Sequence, residues 1–135
     1  MDDSLNWLKR AKSNFVRGKD SSYLDLKDIS LEDLCFDLQQ CVEKSLKAIL
    51  VKKNIEFPKT HNIAELLVII REKTLINFPE KIKDAATLTD YAVNTRYPAD
   101  YNPVTEEEYK EVLEIAENVY NWAENIIMKN QKENK

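Results

Sequence analysis

Apolar residues recur every three or four positions along most of the chain, which is the spacing of amphipathic α-helices. The first stripe predicts a helix that begins near Ser4 and ends near Gly18, because glycine commonly follows the last turn of a helix. The apolar positions of this helix are Leu5, Leu8, Ala11 and Phe15. Residues 19–28 are mostly polar and are predicted to form a connector.

The second helix is predicted from a clear start signal. Ser30 suits the N-cap position, and Asp33 places a negative charge in the first turn, where the helix dipole favours it. Lys52 and Lys53 place positive charge in the last turn, and Pro58 excludes a continuation. The predicted buried face consists of Leu31, Leu34, Leu38, Cys41, Val42, Ser45 and Ile49.

Two shorter stripes predict a third and a fourth helix. Asn62 and Glu65 resemble a capping arrangement for the third helix, and Pro79 separates it from the fourth. The fourth helix should end near Arg96, because Tyr97 precedes a proline and is therefore biased away from helical backbone angles. Their apolar sides are Ile63, Leu66, Leu67 and Ile70, and then Ile82, Ala85, Ala86, Thr89, Ala92 and Val93.

A fifth helix is predicted at the end of the chain. Thr105 and Glu108 form the sequence signature of a capping box, and the apolar stripe then continues to Ile127. Residues 129–135 are polar, and we expect them to form a frayed tail. No segment predicts a strand. The sequence therefore predicts one all-α domain over residues 1–135, an up-and-down antiparallel bundle of about five helices, four long and one short.

Composition narrows the possible functions. Gly18 is the single glycine, which excludes the glycine-rich loops that bind phosphates through their backbone. The net charge of -4 predicts no general attraction to nucleic acid, although a local basic patch could still bind one. No apolar run is long enough to cross a membrane and the polar N-terminus is unlike a signal peptide, so we expect a cytoplasmic protein with no membrane partner.

The two cysteines are predicted to be small core residues. Cys35 and Cys41 are six positions apart in one predicted helix, which separates them by roughly 9 Å along its axis. A disulfide cannot close over that distance. We predict neither a metal site nor a cofactor.

The connector 96–103 is the first place to look for binding chemistry. The Arg96 guanidinium could hold a phosphate, while Tyr97 and Tyr101 could stack on a base. Alternatively, Arg96 complements the dipole of the fourth helix and pairs with Asp100, and the tyrosines cover the end of the bundle. The spacing alone favours this second, structural interpretation.

Polar residues near the second helix give further candidates. His61, the single histidine, could orient a substrate or transfer a proton, or it could close its loop as a structural residue. Lys44 and Lys47 share a stripe that could border a groove and bind an anion. The simpler alternative is that Glu43 and Lys47, four apart, form a solvent-exposed pair on the helix surface.

Several of these segments together resemble the HEPN domain (higher eukaryotes and prokaryotes nucleotide-binding). The resemblance is carried by residues 37–50 with the string Gln-Gln-x-x-Glu-Lys-x-Leu-Lys-Ala, by Lys-Thr-His at 59–61 and by Arg-Tyr-Pro at 96–98. It implies a helical bundle that is usually a homodimer and is similar to the C-terminal domain of kanamycin nucleotidyltransferase. It also implies a minimal nucleotidyltransferase as partner, often in a toxin–antitoxin pair.

The same resemblance bears on catalysis. Many HEPN proteins are metal-independent ribonucleases in which an arginine is followed, after four to six residues, by a histidine. The corresponding positions after Arg96 are Tyr101, Asn102 and Pro103, and Asn14 stands where many relatives have an aspartate. The resemblance therefore favours a module that binds a nucleotide, an RNA or a partner protein through Arg96, Tyr97, Tyr101, Lys44 and Lys47.

Two alternatives remain open at this stage. One is a ribonuclease that uses Arg96 with Tyr101 or His61 as a non-standard base. The other is a purely structural dimerisation domain.

Overall fold

The computed structural model describes residues 3–19, 30–87 and 104–133. These residues form five α-helices and no strand: α1 (Asp3–Lys19), α2 (Leu31–Lys52), α3 (Ile63–Lys73), α4 (Glu80–Lys83) and α5 (Glu106–Glu133), with a 3₁₀ segment at Asp84–Thr87 after α4. The all-α fold predicted from the sequence is confirmed. In the described ranges, no helix is long and apolar enough to cross a membrane.

The helix starts are set by the predicted capping residues. The Ser30 side chain accepts a hydrogen bond from the backbone N–H of Asp33, and Asn62 accepts one in the same way at the start of α3. Thr105 and Glu108 form a reciprocal capping box, with both side-chain-to-backbone bonds at 3.1 Å. Each contact satisfies a backbone N–H that the helix itself leaves unpaired.

The end of α2 is set by a local motif rather than by Pro58. Asn54 adopts a left-handed backbone conformation, with φ of 59°. The N–H of Ile55 bonds to the carbonyl of Leu50, and that of Asn54 bonds to Val51, which is the Schellman arrangement. The helix therefore ends at Lys52, six residues before the proline.

The region after Pro79 differs from the continuous helix that the sequence predicts. α4 is regular only to Lys83, and the chain then forms the 3₁₀ segment as far as Thr87. Ile82 and Ala85 are both buried, and a period of three places side chains three apart in line. The rest of the predicted fourth helix lies outside the described residues. At the other end of the chain, α5 remains helical to Glu133, beyond the start of the predicted frayed tail.

The helix α2 is the centre of the core, and it packs most extensively against α1 and α5. The start of α5 lies beside the start of α2, where the N–H of Val104 donates to Glu32 at 2.9 Å. The Tyr109 hydroxyl, in the first turn of α5, donates to the carbonyl of Gly18 at the end of α1. Thus α5 runs parallel to α2 and antiparallel to α1.

The buried face of α1 is smaller and more polar than predicted. Leu8 and Ala11 are buried as expected, but Leu5 and Phe15 are only partly buried. The remaining buried residues of this helix are Ser4, Asn14 and Gly18. A Cβ on Gly18 would lie 2.6 Å from two side-chain carbons of Leu38, so glycine is required by the close approach of the two helices.

Candidate functional site

A line of polar side chains joins α1 to α2. The Lys44 ammonium donates to the side-chain oxygen of Asn14 at 2.8 Å, and the amide of Asn14 donates to Asp37 at 3.0 Å. Arg17 binds the same Asp37 oxygen through Nε at 3.3 Å and Nη2 at 3.0 Å. We call Asn14, Arg17, Asp37 and Lys44 the polar seam. Asn14 is buried and bonded on both sides, so its amide orientation is fixed.

Lys44 is the residue of the polar seam whose pKa is shifted by its surroundings. The pKa of Lys44 is lowered by partial burial and next by the positive charge of Arg10, with a smaller contribution from Arg17. Glu43 and Asp37 oppose this shift without cancelling it. Two other cations, Arg10 and Arg17, therefore act on the Lys44 ammonium, and the carboxylates of Glu43 and Asp37 act against them. A bound anion would favour the charged form of Lys44.

The rest of α1 extends this positive region. Between Asp3 and Lys19 the helix has five lysines and arginines and one acidic residue, so its formal charge is +4 in a chain whose net charge is -4. By contrast, α5 has eight acidic and three basic residues, a formal charge of -5. The negative net charge of the chain thus conceals a local basic surface on α1.

An open groove of about 650 Å³ lies along the first part of α1. It is lined on α1 by Asp3, Asn6, Trp7, Lys9, Arg10 and Ser13. The groove combines one aromatic ring with two cations, which are the groups that stack on a base and hold a phosphate.

A second group of ionic side chains lies in the interior next to the polar seam. Glu43 is 2 % exposed and Lys47 is 8 % exposed. One Glu43 oxygen lies 3.2 Å from the Lys47 ammonium, and the other lies 2.9 Å from Nδ1 of His61. We call these three residues the buried ion cluster. The prediction of a solvent-exposed Glu43–Lys47 pair is wrong, because the same four-residue spacing here faces the interior.

Aromatic rings enclose the Lys47 ammonium. Its nitrogen lies 5.7 Å from the centre of the Trp7 ring and 6.0 Å from that of Phe57. Cation–π contacts of this kind compensate part of the lost hydration of a buried ammonium. Gln39 also donates to Glu43, at 3.5 Å, and accepts a bond from Gln40 at 2.9 Å. The buried charges are thus surrounded by polar or aromatic partners.

His61 is the exposed end of the buried ion cluster, with 71 % of its side chain accessible. A carboxylate can only accept a hydrogen bond, so Nδ1 of His61 carries the proton that it donates to Glu43. In the neutral ring the second nitrogen, Nε2, is then a proton acceptor. The loop before α3 is held by Thr60, whose hydroxyl donates to Glu65 and accepts from the N–H of Asn62. His61 is thereby held against Glu43 at the end of its loop.

The structure brings only some of the sequence candidates together. Lys44 lies in the polar seam, half-buried, while Lys47 and His61 lie in the adjacent buried ion cluster. Arg96, Tyr97, Asp100 and Tyr101, which lie on the connector, fall outside the described residues. Their proposed roles stay predictions.

Sequence reasoning missed three charged residues around Lys44: Arg10, Arg17 and Asp37. A signal for the first two was present, because positions 10, 14 and 17 recur at helical spacing and share one face of α1. The contact with Asp37 depends on how α1 and α2 are paired, so no local pattern could reveal it.

Cys35 and Cys41 are free thiols within the core, as predicted. Burial raises the pKa of each to about 12, which keeps both protonated at neutral pH. Within residues 3–19, 30–87 and 104–133, no group of three or more histidine, cysteine or acidic side chains could hold a metal ion.

Comparisons with known proteins place this geometry in context. A model of the HEPN domain matches residues 4–126. A protein of Methanocaldococcus jannaschii named as a putative toxin is 32 % identical, and the matched region covers 88 % of this chain and 89 % of that relative.

Two crystal structures are similar to the whole bundle. One is TT1696 from Thermus thermophilus, with a TM-score of 0.76, 27 % identity and coverage of 93 % of this chain and 98 % of that one. The other is ST0689, described as an archaeal HEPN homologue, with a TM-score of 0.69, 27 % identity and coverage of 92 % and 97 %.

Proposed function

Because the chain belongs to the HEPN domain family, we propose that it is the nucleotide- or RNA-binding module of a two-gene, toxin–antitoxin-like system. The relative named as a toxin supports the second part of this proposal. The first part is carried by one observation: the Lys44 ammonium bonds to Asn14 on the basic helix α1, where Arg10 and Arg17 are close enough to act on its charge.

The polar seam can bind a phosphate without rearranging. Asn14 and Asp37 hold Lys44 and Arg17 in place, so little side-chain entropy is lost when an anion arrives. Arg10 has no ionic partner among the described residues and is free to contact a second phosphate oxygen.

The other candidate residues have distinct places in this proposal. Lys47 acts only through its positive charge and not by direct contact, because its ammonium is buried and already bound to Glu43. Arg96 supplies a further phosphate contact, and Tyr97 and Tyr101 supply stacking surface. We further propose that two copies form a homodimer and that the partner protein is a minimal nucleotidyltransferase.

Binding to a fluorescein-labelled single-stranded RNA, measured by fluorescence anisotropy, tests the binding function. We expect Lys44→Gln, Arg10→Gln and Arg17→Gln each to weaken affinity by roughly three- to tenfold, because each removes one phosphate contact. Lys129→Gln is the matched control, since it removes one exposed positive charge from α5. A loss of affinity in the control equal to that in Lys44→Gln would show only a general charge effect.

The partner function needs its own experiment. Co-expression with the product of the neighbouring gene, followed by size-exclusion chromatography, should yield a complex if that product is a nucleotidyltransferase. Arg96→Ala should weaken this complex. Sedimentation of the chain alone should give a dimer at micromolar concentration, and a monomer throughout would contradict the homodimer.

A second candidate function is metal-independent ribonuclease activity, and the Glu43–His61 contact is the observation that favours it. A carboxylate that fixes one ring nitrogen leaves the other to act as a base. Nε2 of His61 would take the proton from a ribose 2′-hydroxyl as its oxygen attacks the adjacent phosphorus. The 5′-oxygen would leave with a proton from solvent, while Arg96 stabilises the charged phosphate.

Incubation of RNA with the purified protein in the presence of a chelator tests the ribonuclease. Cleavage that is lost in His61→Gln and in Arg96→Ala would establish this function. RNA that stays intact with the wild-type protein, while still bound, would leave binding as the function.

A further inference from the structure

A second groove lies on a different part of the fold from the polar seam and depends on none of its residues. It is formed by α3, by the extended segment 74–79 and by the α4 and 3₁₀ region, and its volume is about 520 Å³. That volume lies within the range of about 300–1,000 Å³ that is typical of small-molecule sites.

The floor of this groove is apolar. It is lined by Leu67 and Val68 of α3 and by Ile76 and Phe78 of the extended segment. Val68 is 38 % exposed, and among the described residues it is one of four large apolar side chains that are exposed to this extent. In the described part of the chain this apolar surface is open and concave, which is the feature that binds the apolar part of a ligand.

The charged groups at the rim are all positive. Arg71 and Lys83 line the groove, and no carboxylate from the described residues does. Lys83 already contacts Glu80 at 3.1 Å, whereas Arg71 makes no hydrogen bond or ion pair with the described part of the chain. A guanidinium presents two parallel N–H groups that match a carboxylate. Charge complementarity thus selects an anionic headgroup for a ligand whose body is apolar.

We propose that this groove binds a medium-chain carboxylate, with its alkyl chain on Leu67, Val68 and Phe78 and its headgroup on Arg71. The site is independent of the nucleotide-binding function proposed above. It gives the protein a second ligand of a different chemical class.

The structure contains a fluorescent reporter for this site. The ring of Phe78 packs edge-on against Trp122 of α5, with the ring centres 5.3 Å apart. A ligand that contacts Phe78 should change the environment of this indole. In Trp7→Phe protein, Trp122 is the single remaining tryptophan.

Titration of the Trp7→Phe protein with decanoate, followed by Trp122 emission, tests the proposal. We expect a saturable change, and we expect Arg71→Gln to raise the Kd about tenfold through loss of the charged contact. Lys73→Gln, which removes an exposed charge from the same helix outside this groove, should leave the Kd within about twofold.

A groove variant and an uncharged ligand complete the test. Val68→Asp places a negative charge at an exposed position in the groove, so it should abolish the response without changing the helical circular dichroism. Decanol should bind wild-type and Arg71→Gln proteins alike and less tightly than decanoate binds the wild type. A response that does not saturate, or equal decanoate Kd values in Arg71→Gln, Lys73→Gln and Val68→Asp, would overturn the proposal.

Discussion

Replacing Glu43 by leucine would leave the Lys47 ammonium in the interior without its counter-ion. Glu43 and Lys47 have side chains that are only 3 % and 10 % exposed, so water cannot replace the lost partner. His61 would lose its buried acceptor in the same variant. Removing one member of a buried ion pair typically costs about 3–5 kcal/mol, because the other charge stays desolvated.

The double variant Glu43→Leu/Lys47→Met tests whether the unpaired charge of Lys47 causes the loss of stability. It removes both charges, so most of the lost stability should return, since well-packed apolar residues can replace a buried pair at little cost. Urea unfolding followed by circular dichroism gives the free energy of unfolding of each variant. In a domain of this size, we expect the melting temperature of Glu43→Leu to fall by roughly 10 °C or more.

An exposed ion pair in the same chain is the matched control. Lys83 and Glu80 are 3.1 Å apart with side chains 58 % and 90 % exposed, so Glu80→Leu should leave the stability almost unchanged. A loss below about 1 kcal/mol in Glu43→Leu, or a double variant no more stable than the single one, would refute the reasoning.

Three other predictions follow from the described contacts. Gly18→Ala should destabilise the protein by about 1–3 kcal/mol in thermal unfolding, because the new methyl group displaces Leu38; an unchanged melting temperature would contradict the close approach. Cys35 and Cys41 should not react with a thiol reagent in the native protein and should both react after unfolding, since burial raises the pKa of each to about 12. The pKa of Lys44 is lowered in the free protein and an anion would raise it again, so nucleotide binding just below pH 10.5 should be accompanied by proton uptake. Calorimetry in buffers of different ionisation enthalpy measures that uptake, which should vanish in Lys44→Gln.

The helices were predictable because their signals are local. Ser30, Asn62 and Thr105 each cap the helix that follows through a contact three residues away, so the sequence contains both partners. The last residue of α2 was harder to predict from the sequence, since asparagine can adopt left-handed backbone angles but is equally compatible with other backbone angles. Pro58 gave a limit for the helix rather than its last residue.

The candidate site was only partly predictable, because it depends on tertiary packing. Glu43 and Lys47 have the same spacing whether they face solvent or the core, and the contact with His61 appears only when the loop folds back onto α2. Asn14 was suggested through the family resemblance, but its role as the link between Lys44 and Asp37 required the pairing of α1 with α2.

The central claim is that the polar seam and the neighbouring Arg10 bind the phosphates of a nucleotide or RNA, and the salt dependence of RNA affinity tests it most directly. Each phosphate contact on a single strand contributes a slope of about -0.7 to the logarithm of the association constant against the logarithm of salt concentration. Contacts by Lys44, Arg10 and Arg17 therefore predict a slope of about -2 for the wild type, reduced in magnitude by about 0.7 in Lys44→Gln. Equal slopes in the wild type and Lys44→Gln, or no RNA binding at low salt, would contradict the account.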